Sequence, residues 1–394
     1  MNWGSCRLLI IRVSFIVILL VVYFLPTSPI NSLNGVSEPS HDESTSSYVP
    51  WRSSQPVDNL HDVQNQTLGF QEIRVISLPE RKDKQDSWTV AASLTGFKYE
   101  LADGVDSKRI SNKSLPHTMD LPPKVIACWR AHMDVLQDMV NRGVSSMLVF
   151  EDDADWDVSL KSQLVQFARG TRWILNTTST TRPSSPYGLG WDFLWIGHCG
   201  GNVLPASSRR FVIPHDPTVE PISLRTEPEQ TLFQTWADAV PPDTQTRMVA
   251  PMLDGLCTAS YAISLEGARK ALYHMSMVPY SSPVDWGYGE MCREKYSGFT
   301  CIGPFPRIVG VYRAAGAASR GSDIESINDE ISEAVSSGLV FSSKMNVDRL
   351  LRGERRMKSS DQVAAVTGQQ EWDIDQIGAA VGYGETIGSE LEYN

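Results

Sequence analysis

Residues 124–153 narrow the folds open to this chain more than any other segment: a helical pattern runs into a short apolar stretch that ends in three consecutive acids. From Lys124 to Val140, the apolar residues Val125, Cys128, Trp129, Met133, Leu136 and Val140 recur three and four apart, which is one face of an amphipathic helix. Gly143 supplies the stop. Ser146-Met-Leu-Val-Phe150 is short enough for a buried strand, and Glu151-Asp152-Asp153 follows directly. The same alphabet recurs elsewhere. Ile73–Leu78 reads as a strand ended by Pro79, and the charged run Glu80–Asp86 follows it. Asp192–Ile196 and Cys257–Ser264 read as strands, and Glu266–Met275 as a helix. Helices alternating with buried strands imply an α/β fold with a mostly parallel central sheet. Residues 202–250, rich in Pro and Thr and without a clear period, are expected to be an inserted loop region over the site.

The two ends read differently. Arg7 and Arg12 precede an apolar run, Val13–Leu25, broken only by Ser14 and Tyr23. Counted from Leu8 with Arg12 snorkelling, this approaches the ~20 residues that cross a bilayer. Phe24-Leu25-Pro26-Thr27-Ser28 offers no small-x-small cleavage site, so an uncleaved transmembrane anchor over 8–25 is favoured over a signal peptide. Positive charge before the span places a short tail, 1–12, in the cytoplasm and the remainder in the lumen. The expectation is a single-pass type II protein of the Golgi or endoplasmic reticulum membrane. Residues 26–71, rich in Ser, Pro, Asn and Asp, are expected to be a flexible stem, and 341–394 a largely disordered acidic tail. From Asp361 onward there are seven acids and no Lys or Arg, so that segment carries −7 of the net −11. No Lys/Arg-rich patch interleaved with aromatics suggests a nucleic-acid partner. Asn65, Asn112 and Asn176 sit in glycosylation triplets. Five cysteines follow the anchor, so at least one is unpaired within the chain; Cys292 and Cys301 are close enough in sequence to close a small loop. No CxxC or Cys/His spacing suggests zinc.

The acids carry the chemistry. Loops at the carboxyl ends of strands form the ligand crevice of an open α/β sheet. Hard oxygen ligands select Mg²⁺ or Mn²⁺, which bridge carboxylates to substrate phosphates. Transfer from a nucleotide sugar needs such an ion because its leaving group is a diphosphate. A solvated acidic turn is the plain alternative. Glu151-x-Asp153, Asp153-x-Asp155 and Asp155-x-Asp157 share one spacing. The position nearest the strand end is held most rigidly, which puts the metal on Asp153 with Glu151 beside it and leaves Asp155 and Asp157 on the surface.

Taken in order, Val75-Ile-Ser-Leu-Pro-Glu-Arg81, Ala127-Cys-Trp-Arg-Ala-His132, Leu148-Val-Phe-Glu-Asp-Asp153, Tyr261-Ala-Ile-Ser-Leu-Glu-Gly-Ala-Arg269 and Pro283-Val-Asp285 resemble glycosyltransferase family 25, over residues 72–325. Ser322-Asp-Ile324 resembles that family's closing segment. The resemblance implies a GT-A type domain over 72–340, inverting chemistry, a UDP-sugar donor (UDP-galactose first), and a glycan or glycoprotein acceptor. It also implies Mn²⁺ or Mg²⁺ at Glu151–Asp153, with Arg81, His132, Glu151 and Asp152 toward the nucleotide. Cys128 and His132 fall in the family's Gly-Cys-x-x-Ser-His block, from which this chain departs at Ala127 and Ala131. In isolation, His132 reads as a satisfied core histidine and Cys128 as a packed small hydrophobe. Asp192 and Gly197 match the family's Trp-Asp segment, beside His198. Inversion needs a base apart from the metal; Asp285 is the candidate, Glu290 the alternative, and capping a helix the plain role for Asp285. Trp286 could offer a sugar an apolar face. Two rivals stand beside this reading: a metal-dependent phosphotransferase or nucleotidyltransferase, and a catalytically inactive sugar-binding protein of the same fold.

Overall fold

The computed structural model describes residues 58–177, 183–203, 210–225, 227, 229–231, 245–324, 330–383 and 387–389, all within the unit Ser54–Asn394. The expected anchor over 8–25 lies outside the described residues. Among the described residues no helix is long and apolar enough to cross a membrane.

The N-terminal half is built from crossovers. Strand β1 (Glu72–Ser77) pairs in parallel with β2 (Glu100–Asp103) on one side and β3 (Ser146–Glu151) on the other. Helix α1 (Lys82–Thr95) joins β1 to β2, and α2 (Pro123–Arg142) joins β2 to β3. Pro123 opens α2 at a position where its missing N–H costs nothing. Gly143 ends it in the left-handed conformation at φ 68°, where a side chain would be strained. The face of α2 read from the sequence is the buried one: Trp129, Met133 and Leu136 are fully enclosed. The first five residues of β3 are all buried.

Further along come β4 (Ala154–Trp156), α3 (Leu160–Ile174), β5 (Phe193–Gly197), β6 (Gly201–Val203), β7 (Arg210–Ile213), β8 (Arg247–Gly255) and β9 (Ser260–Ser264). Then follow α4 (Leu265–Leu272), α5 (Val284–Glu294), β10 (Cys301–Phe305) and β11 (Val309–Arg313). The ten-stranded central sheet runs, from its far edge, Ile387–Ser389, β7, β8, β10, β5, β9, β3, β1, β2, with β6 on β8. Seven strands (β1, β2, β3, β5, β6, β7 and β10) point one way; β8, β9 and Ile387–Ser389 are reversed. The expected common direction therefore holds for most strands. The pairing is nevertheless mixed, because β9 inserts antiparallel between β3 and β5, a choice that hydrophobic period does not encode.

Three boundaries differ from expectation. The chain is folded from residue 58, not 72: Leu60, Val63, Leu68 and Phe70 lie in the core among polar neighbours that hide them from a composition reading. In 202–250, the described residues are not a loop over the site but include β6, β7 and the start of β8. Their periodicity is masked because Arg210 and Arg247 are buried in the sheet. Arg247 is paired with Asp216 at 2.8 Å and donates to the carbonyls of Pro306 and Arg307 at 2.7 Å. The tail expected to be disordered is ordered over 341–383. Arg356–Lys358 pairs with Glu371–Asp373, and Val340, Phe341, Met357, Val363 and Ile377 form a small core, with Trp372 stacked on Phe341.

That same segment corrects the placement of Asp155 and Asp157, which are buried, not on the surface. Asp155 accepts from the Ser336 hydroxyl at 2.7 Å, from the Ser342 hydroxyl, and from the Lys344 N–H at 3.2 Å. Asp157 accepts from the N–H groups of Ser159 and Phe341, at 2.9 and 3.0 Å, while burial pushes its carboxyl up to about 7. All three sequon asparagines are exposed. Cys292 pairs with Cys301 as expected and Cys199 with Cys257, leaving Cys128 free.

Two outcomes follow from these contacts. A chain ending at residue 340 strips Asp155 and Asp157 of donors from 341–344, which costs several kcal/mol for buried carboxylates; it is expected to show no cooperative melting by calorimetry, whereas one ending at residue 390 melts like the full chain. The second concerns His198, whose Nε2 donates to the Pro304 carbonyl at 2.8 Å while its Nδ1 accepts from the Gly200 N–H at 3.2 Å. Burial lowers its pKa to about 4. The unfolded chain binds this proton below about pH 6.5 and the folded chain only below about 4, so stability falls on acidification between those values. In His198→Gln, the pH dependence of urea-unfolding free energy in that window should flatten by one proton, or about 1.4 kcal/mol per pH unit.

Candidate functional site

Strands β1 and β3 end side by side, with Ile76 in register with Glu151, and the chain leaves them on opposite sides of a cleft of about 330 Å³. Ser77, Lys84, Cys128, His132, Glu151, Asp152, Asp153 and Asp323 line it. Four of the residues singled out in the sequence thus meet here: His132, Glu151, Asp152 and Asp153.

Each acid has a different environment. Asp152 is consumed internally: it accepts from Ser77 Oγ at 2.9 Å and from Lys84 Nζ at 2.6 Å, and its carbonyl accepts from Trp88 Nε1 at 2.8 Å. Glu151 accepts from Thr258 Oγ1 at 2.5 Å and faces His132 Nε2 at 3.3 Å. Burial pushes the Glu151 carboxyl up, but His132, Thr258 and the charge of Lys84 outweigh burial and hold it below the ordinary range. Asp153 lacks that support. Its Oδ1 is buried with no hydrogen-bond partner, and burial together with the Glu151 charge pushes the carboxyl up to about 6 against the pull of Lys84. A buried carboxylate oxygen with nothing to accept from, beside a second carboxylate, is a donor set that fits a hard divalent cation.

His132 lies one turn from Cys128 on α2, and its Nδ1 is 2.9 Å from the Tyr261 hydroxyl. Burial and the charges of Glu151, Asp285 and Asp153 raise the Cys128 thiol well above its ordinary value. Asp285 reaches the same end of the sheet by another route. It sits in the first turn of α5, where Oδ2 accepts from the Cys257 N–H and Oδ1 from the Trp286 N–H, both at 2.9 Å. Cys257 immediately precedes Thr258, the residue that holds Glu151, so one backbone step separates the anchors of the two carboxylates. Trp286 beside it is 57% exposed. Glu290 is not brought to the cleft; it accepts from Ser282 at 3.3 Å. Arg81 is not among the residues lining the cleft; it lines an adjoining pocket, bound to Asp83 at 2.9 Å and to Asp323.

Several cleft residues escaped the sequence reading. Lys84 also binds Asp323 at 3.0 Å; burial depresses its ammonium, but Asp152, Asp153 and Asp323 outweigh burial and hold it above its ordinary value. The only hint had been its place three residues after Arg81. Thr258 and Tyr261, which hold Glu151 and His132 from behind the cleft, come from the reversed strand side; Tyr261 opens one of the family-like blocks, whereas no local signal marks Thr258. Asp192 is an anchor rather than a ligand, bound to Lys270 at 2.9 Å and accepting from the Thr300 N–H at 2.9 Å. Gly267 is required beside it, since a Cβ there would come 2.3 Å from the Asp192 carbonyl.

No family model matches the chain. Part of it is similar to curated proteins named as glycosyltransferases. It is similar to the Bos taurus protein named Probable inactive glycosyltransferase 25 family member 3, 28% identical over 145 residues, 33% of this chain and 22% of that one. It is likewise similar to Procollagen galactosyltransferase 1 of Danio rerio, 24% identical over 153 residues (35% and 23% of the two chains). The third is Procollagen galactosyltransferase 2 of Mus musculus, 26% identical over 113 residues (25% and 18%). The chain thus resembles glycosyltransferase family 25 members, and the matched region spans about a fifth of their length.

Unpaired burial makes Asp153 a destabilising residue in the metal-free protein. Burial pushes its carboxyl from the ordinary 3.8 up to about 6, so the fold loses stability as pH rises from about 3.8 to about 6 and stays at that lower level above it. Asp153→Asn should raise stability by roughly 1–2 kcal/mol at pH 8 in chelator and leave it unchanged below pH 4, read from urea midpoints.

Proposed function

We propose that this chain is an inverting glycosyltransferase with a GT-A type domain, moving a sugar from a UDP-sugar, UDP-galactose first, to a glycan or glycoprotein acceptor. The observation that carries the reading is the unpartnered carboxylate oxygen of Asp153 just past the end of β3, two residues after Glu151 and facing a cleft that also holds a cation, Lys84. The likeness to named galactosyltransferases supports the same class.

Asp153 and Glu151 would hold Mn²⁺ or Mg²⁺, whose charge offsets that of the departing diphosphate. Lys84, fixed by Asp152 and Asp323, adds a positive charge on the same side. Asp285 takes the proton from the acceptor hydroxyl as that oxygen attacks the anomeric carbon opposite the leaving group. Its two N–H contacts orient the carboxylate without neutralising it. Trp286 gives the acceptor sugar an exposed ring to pack against. Secretory location and a membrane anchor belong to this reading through the N-terminal residues. One observation favours a second reading, an inactive sugar-binding member of the same fold: Arg81 is already engaged by Asp83 and Asp323, and family members named inactive are among the relatives.

UDP release from a panel of UDP-sugars by a chain starting at residue 54 separates the readings. Turnover of one donor is expected, abolished by chelator and by Asp153→Ala. Asp285→Asn should lower kcat at least about 100-fold with the donor KM little changed. Donor binding by calorimetry without turnover would favour the inactive reading, and neither binding nor turnover would remove the donor assignment.

A further inference from the structure

Cys128, His132 and Glu151 each present one ligand atom to a common point, all three within 4.8 Å of one another. The residues come from two elements. Cys128 and His132 stand four apart on α2, so they share a helix face; Glu151 arrives from the end of β3. Such a thiol, imidazole and carboxylate set differs in character from the pair Glu151 and Asp153. A hard ion favours oxygen alone, whereas sulfur and imidazole select a softer ion such as Zn²⁺.

The spacing fits that ion. Tetrahedral Zn²⁺ with nitrogen and oxygen ligands near 2.0–2.1 Å holds them roughly 3.3 Å apart, and His132 Nε2 lies 3.3 Å from Glu151 Oε1. Outer contacts of the kind that orient metal ligands are in place. Tyr261 sits at Nδ1 of His132, 2.9 Å away, with Tyr288 donating to Tyr261 at 3.4 Å, and Thr258 holds the Glu151 carboxylate. A hydroxyl both donates and accepts, so Tyr261 can accept a hydrogen bond from Nδ1–H when Nε2 turns its lone pair to an ion. All three ligands line the cleft, which leaves a fourth position open to solvent or to a donor atom of a bound molecule. The two disulfides use the four other described cysteines, so the Cys128 sulfur has no covalent partner.

We infer that Cys128, His132 and Glu151 form a Zn²⁺ site with one open position, separate from the hard-cation pair but sharing Glu151 with it. On binding, Cys128 gives up its thiol proton. The Zn²⁺ site itself does not depend on the transferase reading.

The test is Co²⁺ and Zn²⁺ titration of metal-free protein starting at residue 54, oxygen-free with both disulfides intact and one free thiol confirmed by thiol counting, with absorbance and calorimetry. Wild type should show a thiolate-to-cobalt charge-transfer band in the near ultraviolet, reversed by one equivalent of Zn²⁺. Cys128→Ser, which keeps volume and fold, should lose the band and bind Zn²⁺ at least tenfold more weakly. Asp153→Asn should keep the band. Absence of the band in wild type, equal Zn²⁺ affinity in Cys128→Ser, or loss of the band in Asp153→Asn would overturn the assignment. Sugar transfer enters none of these readouts, so a chain that turns over no donor can still pass.

Discussion

Five carboxylates within seven residues, from Glu151 to Asp157, set the terms for everything around the end of β3. Buried negative charge is tolerated only when paired or hydrogen-bonded, and most of the neighbouring elements serve that need. Lys84 from α1 and Ser77 from β1 close on Asp152; Thr258 and His132 close on Glu151; Ser336, Ser342 and the 341–344 backbone close on Asp155 and Asp157. The C-terminal segment folds onto the domain partly because those acids must be capped. Asp153 is the exception: its Oδ1 is buried without a hydrogen-bond partner, and the proposed metal pair rests on that isolation.

A second economy lies in α2, whose two adjacent faces do different work. Trp129, Met133 and Leu136 face the core, while Cys128 and His132, displaced by one position, face the cleft. The helix is therefore fixed by apolar burial, and the chemistry on its margin is held as rigidly as the core. Asp285 is held in a comparable way. It is oriented by the backbone of the Cys257 turn, itself pinned by a disulfide to Cys199 and by Trp195, whose indole N–H donates to the Cys257 carbonyl at 2.7 Å.

Both proposed ion sites meet at Glu151, whose charged state is reinforced by His132, Thr258 and Lys84. A carboxylate so held can serve a hard ion with Asp153 or a soft one with Cys128 and His132. The cleft is thus polyvalent in ligand character, while the protein around it is uniform in purpose: to keep acids close together without letting them repel the fold apart.

Local pattern was enough for the elements that bury an apolar stripe. Helix α2, its Gly143 stop, β1, β3, β5 and the acidic strand end were all readable, because period and capping are short-range properties of the chain. That Glu151–Asp153 stand at the end of a buried strand was readable for the same reason. What stayed hidden depended on contacts between distant segments: the reversal of β9, the buried arginines that disguised β7 and β8, the capping of Asp155 and Asp157 by residues nearly two hundred positions on, and the meeting of Cys128 and His132 with Glu151. Acidic residues in a row look alike in sequence. Which is paired, which is buried and which is left open is decided only when the sheet closes, because the energy of a charge depends on what tertiary packing places beside it.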